Sequence, residues 1–412
     1  MNRTDGTERK EKSFRQGLVY GALAALLAVA VLYIVGNPYI FSSLKKGGLT
    51  GREAAQLVKK LDTITREIDE LYLEDVDHSA MLEEAYSAYV AAVGDKYTCY
   101  YTQEEYQAFR ESTSGIYSGI GVTVTMDADT GFLTIVSIQE GGPADGTAIR
   151  EGDMLLKADG KDLTGMKQDA IVALIKGEAG TQVTLELQHG KNGGVFTETL
   201  TRKKMETKTV RSELLENGTL GYIALEGFEE VTTNQFEEAL TELQNKGIQG
   251  LIIDLRNNPG GRLDVVTEML DKLLPEGIIT YTEDKWGNRE TFTSDAEHLE
   301  LPLALLVNEN SASASEIFAG AVKDYGIGTL VGTTTFGKGI VQRTMGLGDG
   351  TGLKITMARY YTPNGNYIHG VGVEPDIAIE LPAGVVYGKN LPHEEDIQLQ
   401  TAIEAVKTKL GQ

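Results

Sequence analysis

Residues 308–342 read NENSASASEIFAGAVKDYGIGTLVGTTTFGKGIVQ, with three serines in five residues and then a lysine between two glycines. The serines are Ser311, Ser313 and Ser315, and they follow a strand-like apolar run. Taken alone they fit a helix start, because Ser313 and Glu316 have the S-x-x-E spacing of a capping box. A serine at a helix N-terminus also lies beside backbone N–H groups that can stabilise an oxyanion. The stretch is therefore either a cap or a nucleophile.

Lys338 has the surroundings of a general base. It lies in TTTFGKGIVQ among apolar residues and glycines, with no adjacent carboxylate and no histidine in a nearby motif. Burial without a counter-charge lowers the pKa of a lysine towards neutrality, and the neutral amine can then activate a serine. Residues 254–261, DLRNNPGG, add a turn whose glycine amides can approach a ligand closely. The sequence therefore favours a nucleophilic serine paired with a lysine.

The composition excludes several classes of function. At 412 residues the chain is long enough for two or three domains. A formal charge of −22 leaves no evident basic face to neutralise phosphates, which argues against a nucleic-acid partner. The single cysteine, Cys99, excludes an intramolecular disulfide, and the five histidines are scattered without metal-ligand spacing. We therefore expect neither a metal nor a cofactor.

Residues 17–36, GLVYGALAALLAVAVLYIVG, form an uncharged apolar run of 20 residues. As a helix with a rise of about 1.5 Å per residue it would span about 30 Å, the thickness of a bilayer core. Basic residues are concentrated before the run, at Arg3, Arg9, Lys10, Lys12 and Arg15. This bias predicts a cytoplasmic N-terminus over residues 1–16 and an extracytoplasmic body. A cleaved signal peptide is the alternative, but its apolar region is usually about 7–15 residues long and no clear A-x-A site follows. We expect a single-pass protein of the cell membrane.

Three segments of the body are predicted from their hydrophobic periods. Residues 50–113 have apolar residues at steps of three and four, which predicts a helical region. Such an arm would serve either a homodimer or ordinary packing. Residues 205–380 alternate strand-like and helix-like runs, which predicts an α/β core of βα units with right-handed crossovers. Residues 381–412 end in an amphipathic helix.

Residues 114–203 change to short strands and turns, and they resemble a PDZ domain. Gly119, Ile120, Gly121 and Val122 stand near the start, and REGDMLLKADG follows at the distance found in such domains. Glycines in this loop let backbone N–H groups converge on a carboxylate, and the next strand offers an edge to an extended peptide. The resemblance predicts that these four residues bind protein C-terminal tails with apolar ends.

The motifs DLRNNPGG, NENSASASEIFAGA and GTTTFGKGIVQ together resemble those of the C-terminal processing (tail-specific) peptidases, which are serine proteases with a Ser–Lys dyad. The resemblance extends from GDKYTCYYTQEEYQAF to GVGVEPDI. It implies a crotonase/ClpP-like α/β core with an inserted PDZ domain. It also implies Ser313 as the nucleophile and Lys338, 25 residues later, as the base. Gln342 would orient the lysine, and the amides of Gly260 and Ala314 would bind the oxyanion.

The predicted function is a membrane-anchored serine endopeptidase that recognises protein C-terminal tails through its PDZ domain. One alternative is a catalytically silent scaffold that only binds tails, but such a protein would lack the serine or the lysine, and both are present. Another is an α/β hydrolase of small esters, but Ser313 has no G-x-S-x-G motif around it. Ser311 and Ser315 are expected to be structural.

Overall fold

The computed structural model describes residues 48–127, 130–385, 387–388 and 391–411. The chain divides into two compact units, the first ending at Glu84 and the second beginning at Ala85. The predicted membrane span, residues 17–36, lies outside the described residues. Among the residues that are described, none of the helices combines the length and apolar character that crossing a membrane requires.

Helix α1 (Gly51–Leu71) lies in the first unit, and α2 (His78–Ala91) begins there. A capping box starts α1, because the Glu53 N–H donates to Thr50 Oγ1 at 3.3 Å and the Thr50 N–H donates to Glu53 Oε2 at 2.8 Å. Ala54 is the residue of α1 that is buried. The helix leaves a row of apolar side chains exposed: Leu57, Val58, Leu61 and Ile64.

The second unit continues with β1 (Cys99–Tyr101) and α3 (Gln103–Ser114). Helix α3 begins at a second capping box and ends at Gly115, whose φ of 70° is the left-handed conformation that favours glycine. Strand β1 pairs with a strand of the α/β core described below. The segment predicted as a helical region therefore also supplies a strand to the core.

The next module is a small β domain with one helix. Its elements are β2 (Ile116–Gly119), β3 (Val122–Met126), β4 (Leu133–Ile138), β5 (Met154–Ala158), β6 (Lys161–Asp162), α4 (Gln168–Ile175), β7 (Gln182–Gln188), β8 (Val195–Thr201) and β9 (Lys203–Glu206). The sheet order is β3-β4-β5-β7-β8, with β6 against β5. Strands β2 and β9 form a separate antiparallel ribbon, with Gly119 opposite Lys203. The two ends of this module therefore lie side by side.

The α/β core follows. Its elements are β10 (Val210–Leu215), β11 (Leu220–Leu225), α5 (Thr232–Asn245), β12 (Gly250–Asp254), α6 (Leu263–Asp271), β13 (Gly277–Asp284), β14 (Arg289–Ser294), β15 (Leu303–Val307), α7 (Ala314–Tyr325), β16 (Gly328–Gly332), β17 (Ile340–Gly346), β18 (Gly352–Tyr361), β19 (Ile377–Ala378) and α8 (Ile397–Leu410). A single 3₁₀ turn, Glu216–Gly218, joins β10 to β11.

The main sheet has the order β10-β11-β12-β15-β16-β19, and all neighbours from β11 onwards are parallel. Every residue of β12 and β15 is buried, as expected for parallel strands covered on both faces. Helix α8 packs on one face through Leu399, Ile403 and Val406. Helices α5, α6 and α7 cover the other face. The predicted α/β core of βα units is confirmed.

A second, antiparallel sheet has the order β1-β18-β13-β14, with β17 also paired to β18. Strand β17 begins two residues after Lys338, and its Gln342 lies opposite Thr356 of β18. This sheet therefore places the lysine segment next to the segment that precedes β1.

A buried ion cluster fixes the turn after β12. Arg256 donates from Nη2 to Asp254 at 2.6 Å and to Asp396 at 2.8 Å, and from Nη1 to Gln398 at 3.0 Å. The Tyr222 hydroxyl donates to the Asp254 carboxylate at 2.7 Å. Because Asp396 is also the N-cap of α8, the cluster joins the C-terminal helix to the turn that carries the predicted oxyanion glycine.

Candidate active site

Ser313 lies directly before α7, in the turn that follows β15. Its φ of 57° and ψ of −113° are uncommon for a residue with a Cβ, and such strain costs of order 1–3 kcal/mol. Four hydrogen bonds hold this backbone, one of them from the Ile317 N–H to the Ser313 carbonyl at 3.0 Å. The Ser313 N–H donates to Glu316 Oε2 at 2.9 Å, and the Ser313 carbonyl accepts from the Glu316 N–H at 2.8 Å and the Tyr360 hydroxyl at 3.1 Å. The tertiary structure therefore imposes the unusual conformation.

Glu316 joins the serine segment to the lysine segment. Its side chain is fully buried, and both carboxylate oxygens accept hydrogen bonds. Besides Ser313, the donors are the Gly337 N–H at 2.6 Å, the Lys338 N–H at 2.7 Å and the Thr335 hydroxyl at 2.7 Å. One carboxylate thus fixes the backbone of both predicted dyad residues. The sequence suggested Glu316 only as half of a capping box.

Lys338 is half-buried, and its ammonium lies over an aromatic ring. The Nζ atom is 4.8 Å from the centroid of the Tyr97 ring, a cation–π distance. Burial lowers the pKa of Lys338 from its ordinary value, and the positive charge of Lys354 lowers it further. The carboxylates of Glu316 and Asp95 act in the opposite direction. The net lowering of the pKa is what a lysine general base requires.

The turn that carries Tyr97 is built by Asp95. Its carboxylate accepts from the Tyr97 N–H at 3.1 Å and from the Thr98 hydroxyl at 2.6 Å. The Thr98 hydroxyl in turn accepts from the Thr356 N–H of β18 at 3.1 Å. Sequence reasoning did not assign these residues to the site. The available signal was the Asp-Lys-Tyr-Thr turn directly before a strand, which is an Asx-turn pattern.

Gly260 lies against Ser313 and Ala314. A Cβ on Gly260 would be 2.5 Å from the Ala312 carbonyl oxygen, 2.8 Å from Ser313 Cβ and 2.9 Å from the Ala314 nitrogen. Its φ of 100° also favours glycine. The Gly260 N–H donates to Asn258 Oδ1 at 2.9 Å. The three residues predicted as nucleophile and oxyanion donors are therefore neighbours, and the Gly260 N–H is bonded within its own turn.

Asn258 connects this turn to the serine segment. It is fully buried, and its carbonyl accepts from the Ala312 N–H at 3.0 Å and from Ser315 Oγ at 2.9 Å. Its side-chain amide donates to the Leu225 carbonyl at 2.9 Å. Ser311 makes a similar contact, donating from Oγ to the carbonyl of Leu255 at 2.8 Å. The two serines that flank Ser313 thus tie the two turns together.

Gln342 lies on β17, four residues after Lys338. Its amide donates to the Ile340 carbonyl and to Thr356 Oγ1, both at 3.5 Å, the long limit for a hydrogen bond. The contact to Thr356 places Gln342 beside the same Thr98–Thr356 connection that supports Tyr97.

The predicted tail-binding loop lies between β2 and β3. Gly119 ends β2, Ile120 is buried, and Gly121 has a φ of 75°. A Cβ on Gly121 would be 3.1 Å from the Gly142 Cα, so this loop packs closely on the turn after β4. Val122 begins β3, the end strand of its sheet. The loop and strand thus have the arrangement that strand addition by a peptide requires.

This chain matches two family models and is similar to proteins named as proteases. The family model of peptidase family S41 matches residues 219–379, and the PDZ domain model matches residues 111–188. A "Probable CtpA-like serine protease" of Staphylococcus aureus strain MSSA476 is 33% identical over 364 residues, which cover 87% of this chain and 72% of that protein. The "Carboxy-terminal processing protease CtpA" of Bacillus subtilis strain 168 is 33% identical over 377 residues, covering 91% of this chain and 78% of that protein. Among solved structures, a photosystem II D1 C-terminal processing protease is 32% identical, with a TM-score of 0.46, over 77% of this chain and 88% of that chain.

An α/β core joined to a PDZ domain, with these relatives, defines a serine-type peptidase. The chain belongs to peptidase family S41, among the C-terminal processing peptidases. The family and the class of enzyme predicted from the sequence motifs are confirmed.

Proposed function

We propose that this peptidase is a membrane-anchored endopeptidase that cuts protein substrates with Ser313 as nucleophile and Lys338 as general base. One observation carries the proposal. The buried carboxylate of Glu316 accepts hydrogen bonds from the backbones of both residues, so that two segments 25 residues apart are held in one site. A structural cap at the start of α7 would not require the lysine segment to bond to the same carboxylate.

In the proposed reaction, neutral Lys338 takes the proton of Ser313 as the serine oxygen attacks a backbone carbonyl of the substrate. The lysine then protonates the leaving amine, and water releases the acyl-enzyme in the second step. The N–H groups of Ala314 and Gly260 stabilise the oxyanion. Because the Gly260 N–H donates to Asn258 Oδ1, this hydrogen bond has to be shared or exchanged when substrate binds. Loss of one such donor typically costs roughly 10²–10³ in rate.

Gln342 would orient Lys338 in the reaction through a side-chain contact. Its long bonds to Ile340 and Thr356 leave its amide weakly held, so that its rotation towards the lysine costs little.

The PDZ domain would recruit substrate. Gly119, Ile120, Gly121 and Val122 would bind the terminal carboxylate and the last apolar side chain of a protein tail, with the peptide added along β3. The catalytic site would then cut upstream of that tail. Residues 17–36 would hold the enzyme in the cell membrane with its body outside the cytoplasm.

The dyad is tested with a version that lacks the first 40 residues, incubated with a loosely folded protein that ends in an apolar tail. Ser313→Ala and Lys338→Ala should each abolish the products detected by mass spectrometry. Ser212→Ala and Lys285→Ala, on exposed surface, are the matched controls and should cut normally. Cleavage by the Lys338→Ala protein at the parent rate would exclude Lys338 as the general base. If the parent protein binds the tail peptide without cutting it, the result would instead support the alternative of a catalytically silent protein that only binds tails.

The pH dependence follows from the lowered pKa of Lys338. The base works only when neutral, so kcat/KM should rise with pH and level off above the pKa of the lysine. The midpoint should lie below about 10.4, the ordinary value for lysine. A profile that is flat from pH 6 to pH 10, measured with the same substrate, would contradict this assignment.

A further inference from the structure

We propose that Tyr97 is a positioning residue for Lys338, whose ammonium rests on the face of the tyrosine ring between catalytic steps. The inference rests on the proposed role of Lys338 as the base. It adds a group from outside the serine and lysine motifs, contributed by the turn that precedes β1.

The contact is geometrically defined. Lys338 Nζ is 4.8 Å from the centroid of the Tyr97 ring, within the range of about 6 Å for a cation–π contact. The half-buried ring also receives the ammonium of Lys96, with Nζ 4.9 Å from its centroid. The more exposed Lys96 also lies near the ring of Phe336, at 5.7 Å. Tyr97 is therefore an aromatic platform that contacts the predicted base directly.

The platform is rigidly supported from the catalytic sheet. Asp95 holds the Tyr97 backbone, Thr98 connects it to Thr356 of β18, and the Gln342 amide reaches the same Thr356. Lys338 is fixed independently, through its N–H to Glu316. Because both backbones are anchored, the side chain of Lys338 is the part that is free to move from the ring to Ser313.

The ring acts selectively on the charged lysine. The π face attracts an ammonium, whereas the neutral amine gains only a weak N–H···π contact. Loss of the proton therefore weakens the attachment to Tyr97 and releases the amine for its hydrogen bond to Ser313. The other titratable or charged groups around Lys338 are Lys354 on β18, Glu316 on α7, Asp95 and Lys96 before β1, and His369, whose Nδ1 accepts from the Gly339 N–H.

Removal of the ring should have two separate effects. Tyr97→Leu keeps the apolar volume but deletes the π face, so the charged form of Lys338 loses stabilisation and its titration midpoint should fall by about half a pH unit to one unit. The limiting cleavage rate at high pH should also fall, by roughly 10- to 100-fold, because the ammonium that forms when Lys338 takes the serine proton is no longer held in place to protonate the leaving amine. Tyr97→Phe keeps the π face and should preserve both quantities.

The midpoint is measured without substrate, by competitive acetylation of Lys338 with acetic anhydride across a pH series and mass spectrometry of the peptides. Replacement of Tyr97 by phenylalanine with one, two and three ring fluorines weakens the π face at constant shape, which guards against misfolding of the leucine variant. The midpoint should fall stepwise with fluorination. Trp286→Leu, which removes the ring 4.5 Å from Lys285 Nζ in the β13–β14 hairpin, is the matched control and should leave the titration midpoint of Lys338 unchanged.

The outcomes separate the two proposals. The role of Tyr97 would be overturned if Lys338 had the parent titration midpoint in the Tyr97→Leu and fluorinated variants. It would also be overturned if Tyr97→Phe lowered this midpoint as much as Tyr97→Leu does. A second outcome is that the midpoint falls while Lys338→Ala still cleaves substrate at the parent rate. The contact between Lys338 and the ring would then be confirmed, but both the proposed dyad and the positioning role of Tyr97 would be excluded.

Discussion

Glu316 shows how one side chain can have a local and a long-range role. Locally it accepts from the Ser313 N–H three residues earlier, as a capping box predicts. At long range its two oxygens also accept from Thr335, Gly337 and Lys338, and these contacts hold the lysine segment against α7. A buried carboxylate with four donors is fully satisfied, and no neutral side chain of the same shape offers two acceptor oxygens.

Glu316→Gln is therefore expected to damage both activity and stability. The amide would turn an NH₂ group towards N–H donors, and each buried donor left without an acceptor costs about 1–3 kcal/mol. We expect kcat to fall by at least roughly 100-fold and the free energy of unfolding by about 2–4 kcal/mol. Urea unfolding and the cleavage assay measure the two effects. Glu309→Gln, whose carboxylate bonds to the Thr333 hydroxyl on the surface, should change stability by less than about 0.5 kcal/mol.

Gly260→Ala is expected to abolish cleavage for a steric reason. The new methyl group would lie within 3 Å of the Ala312 carbonyl oxygen and of Ser313 Cβ, so the turn would have to move away from Ser313. Gly247→Ala is the control for backbone strain without a steric clash, because Gly247 has a φ of 81° and open space around it. The control should lose about 1 kcal/mol of stability and keep its activity. Normal cleavage by Gly260→Ala would exclude Gly260 from the oxyanion site.

The residues that sequence reasoning missed share a physical property. Ser313, Lys338 and Gly260 stand in contiguous motifs whose chemistry can be interpreted locally. Asn258 and Tyr97 act through contacts to segments 50 or more residues away, such as the bond from Ser315 Oγ to the Asn258 carbonyl. Such contacts depend on sheet order and register, which a single sequence does not specify.

At the scale of elements, the C-terminal helix α8 supports the site from the opposite face of the main sheet. Its N-cap residue Asp396 binds Arg256, and Arg256 stands two residues before Asn258 in the turn that carries Gly260. The guanidinium is fully buried between two carboxylates. A helix that is remote in sequence thus fixes the orientation of the turn that carries Gly260.

Asp396→Asn tests this support. Asparagine keeps the helix cap but removes one charge from the buried cluster, while Asp254 still neutralises Arg256. We expect the free energy of unfolding to fall by about 1–3 kcal/mol, with a parallel loss of kcat because the turn loosens. Glu404→Gln on the exposed face of α8 is the control, since its pair with Lys407 lies on the surface. An unchanged kcat in Asp396→Asn would show that α8 only stabilises the fold.

At the scale of the whole molecule, the described structure bears out the predicted α/β core and inserted β domain but adds β1 to the core. The parallel strands were predictable because apolar runs such as LPLALLV and GLIID are typical of strands buried on both faces. The pairing of Cys99–Tyr101 with β18 was not predictable, because a pattern of three residues is too short to distinguish a strand from a turn.

Self-association is the prediction that belongs to this scale. The exposed face of α1 carries Leu57, Leu61 and Ile64, with 38–45% of each side chain exposed. If this face mediates a homodimer rather than ordinary packing, Leu57→Ser with Leu61→Ser should halve the mass measured by light scattering at micromolar concentration. Lys59→Ser with Lys60→Ser, elsewhere on the helix, should leave the mass unchanged. A parent protein that is already monomeric would rule out a dimer through this arm.

The β2–β9 ribbon has a consequence for how this architecture arises and varies. Because Gly119 and Lys203 are paired, the two chain ends of the inserted domain leave the core as neighbours, and a two-residue turn could close the gap between them. Closing so short a loop costs little chain entropy compared with the 83 residues that it would replace. We therefore expect that the inserted domain can be exchanged between proteins of this fold without rebuilding the α/β core.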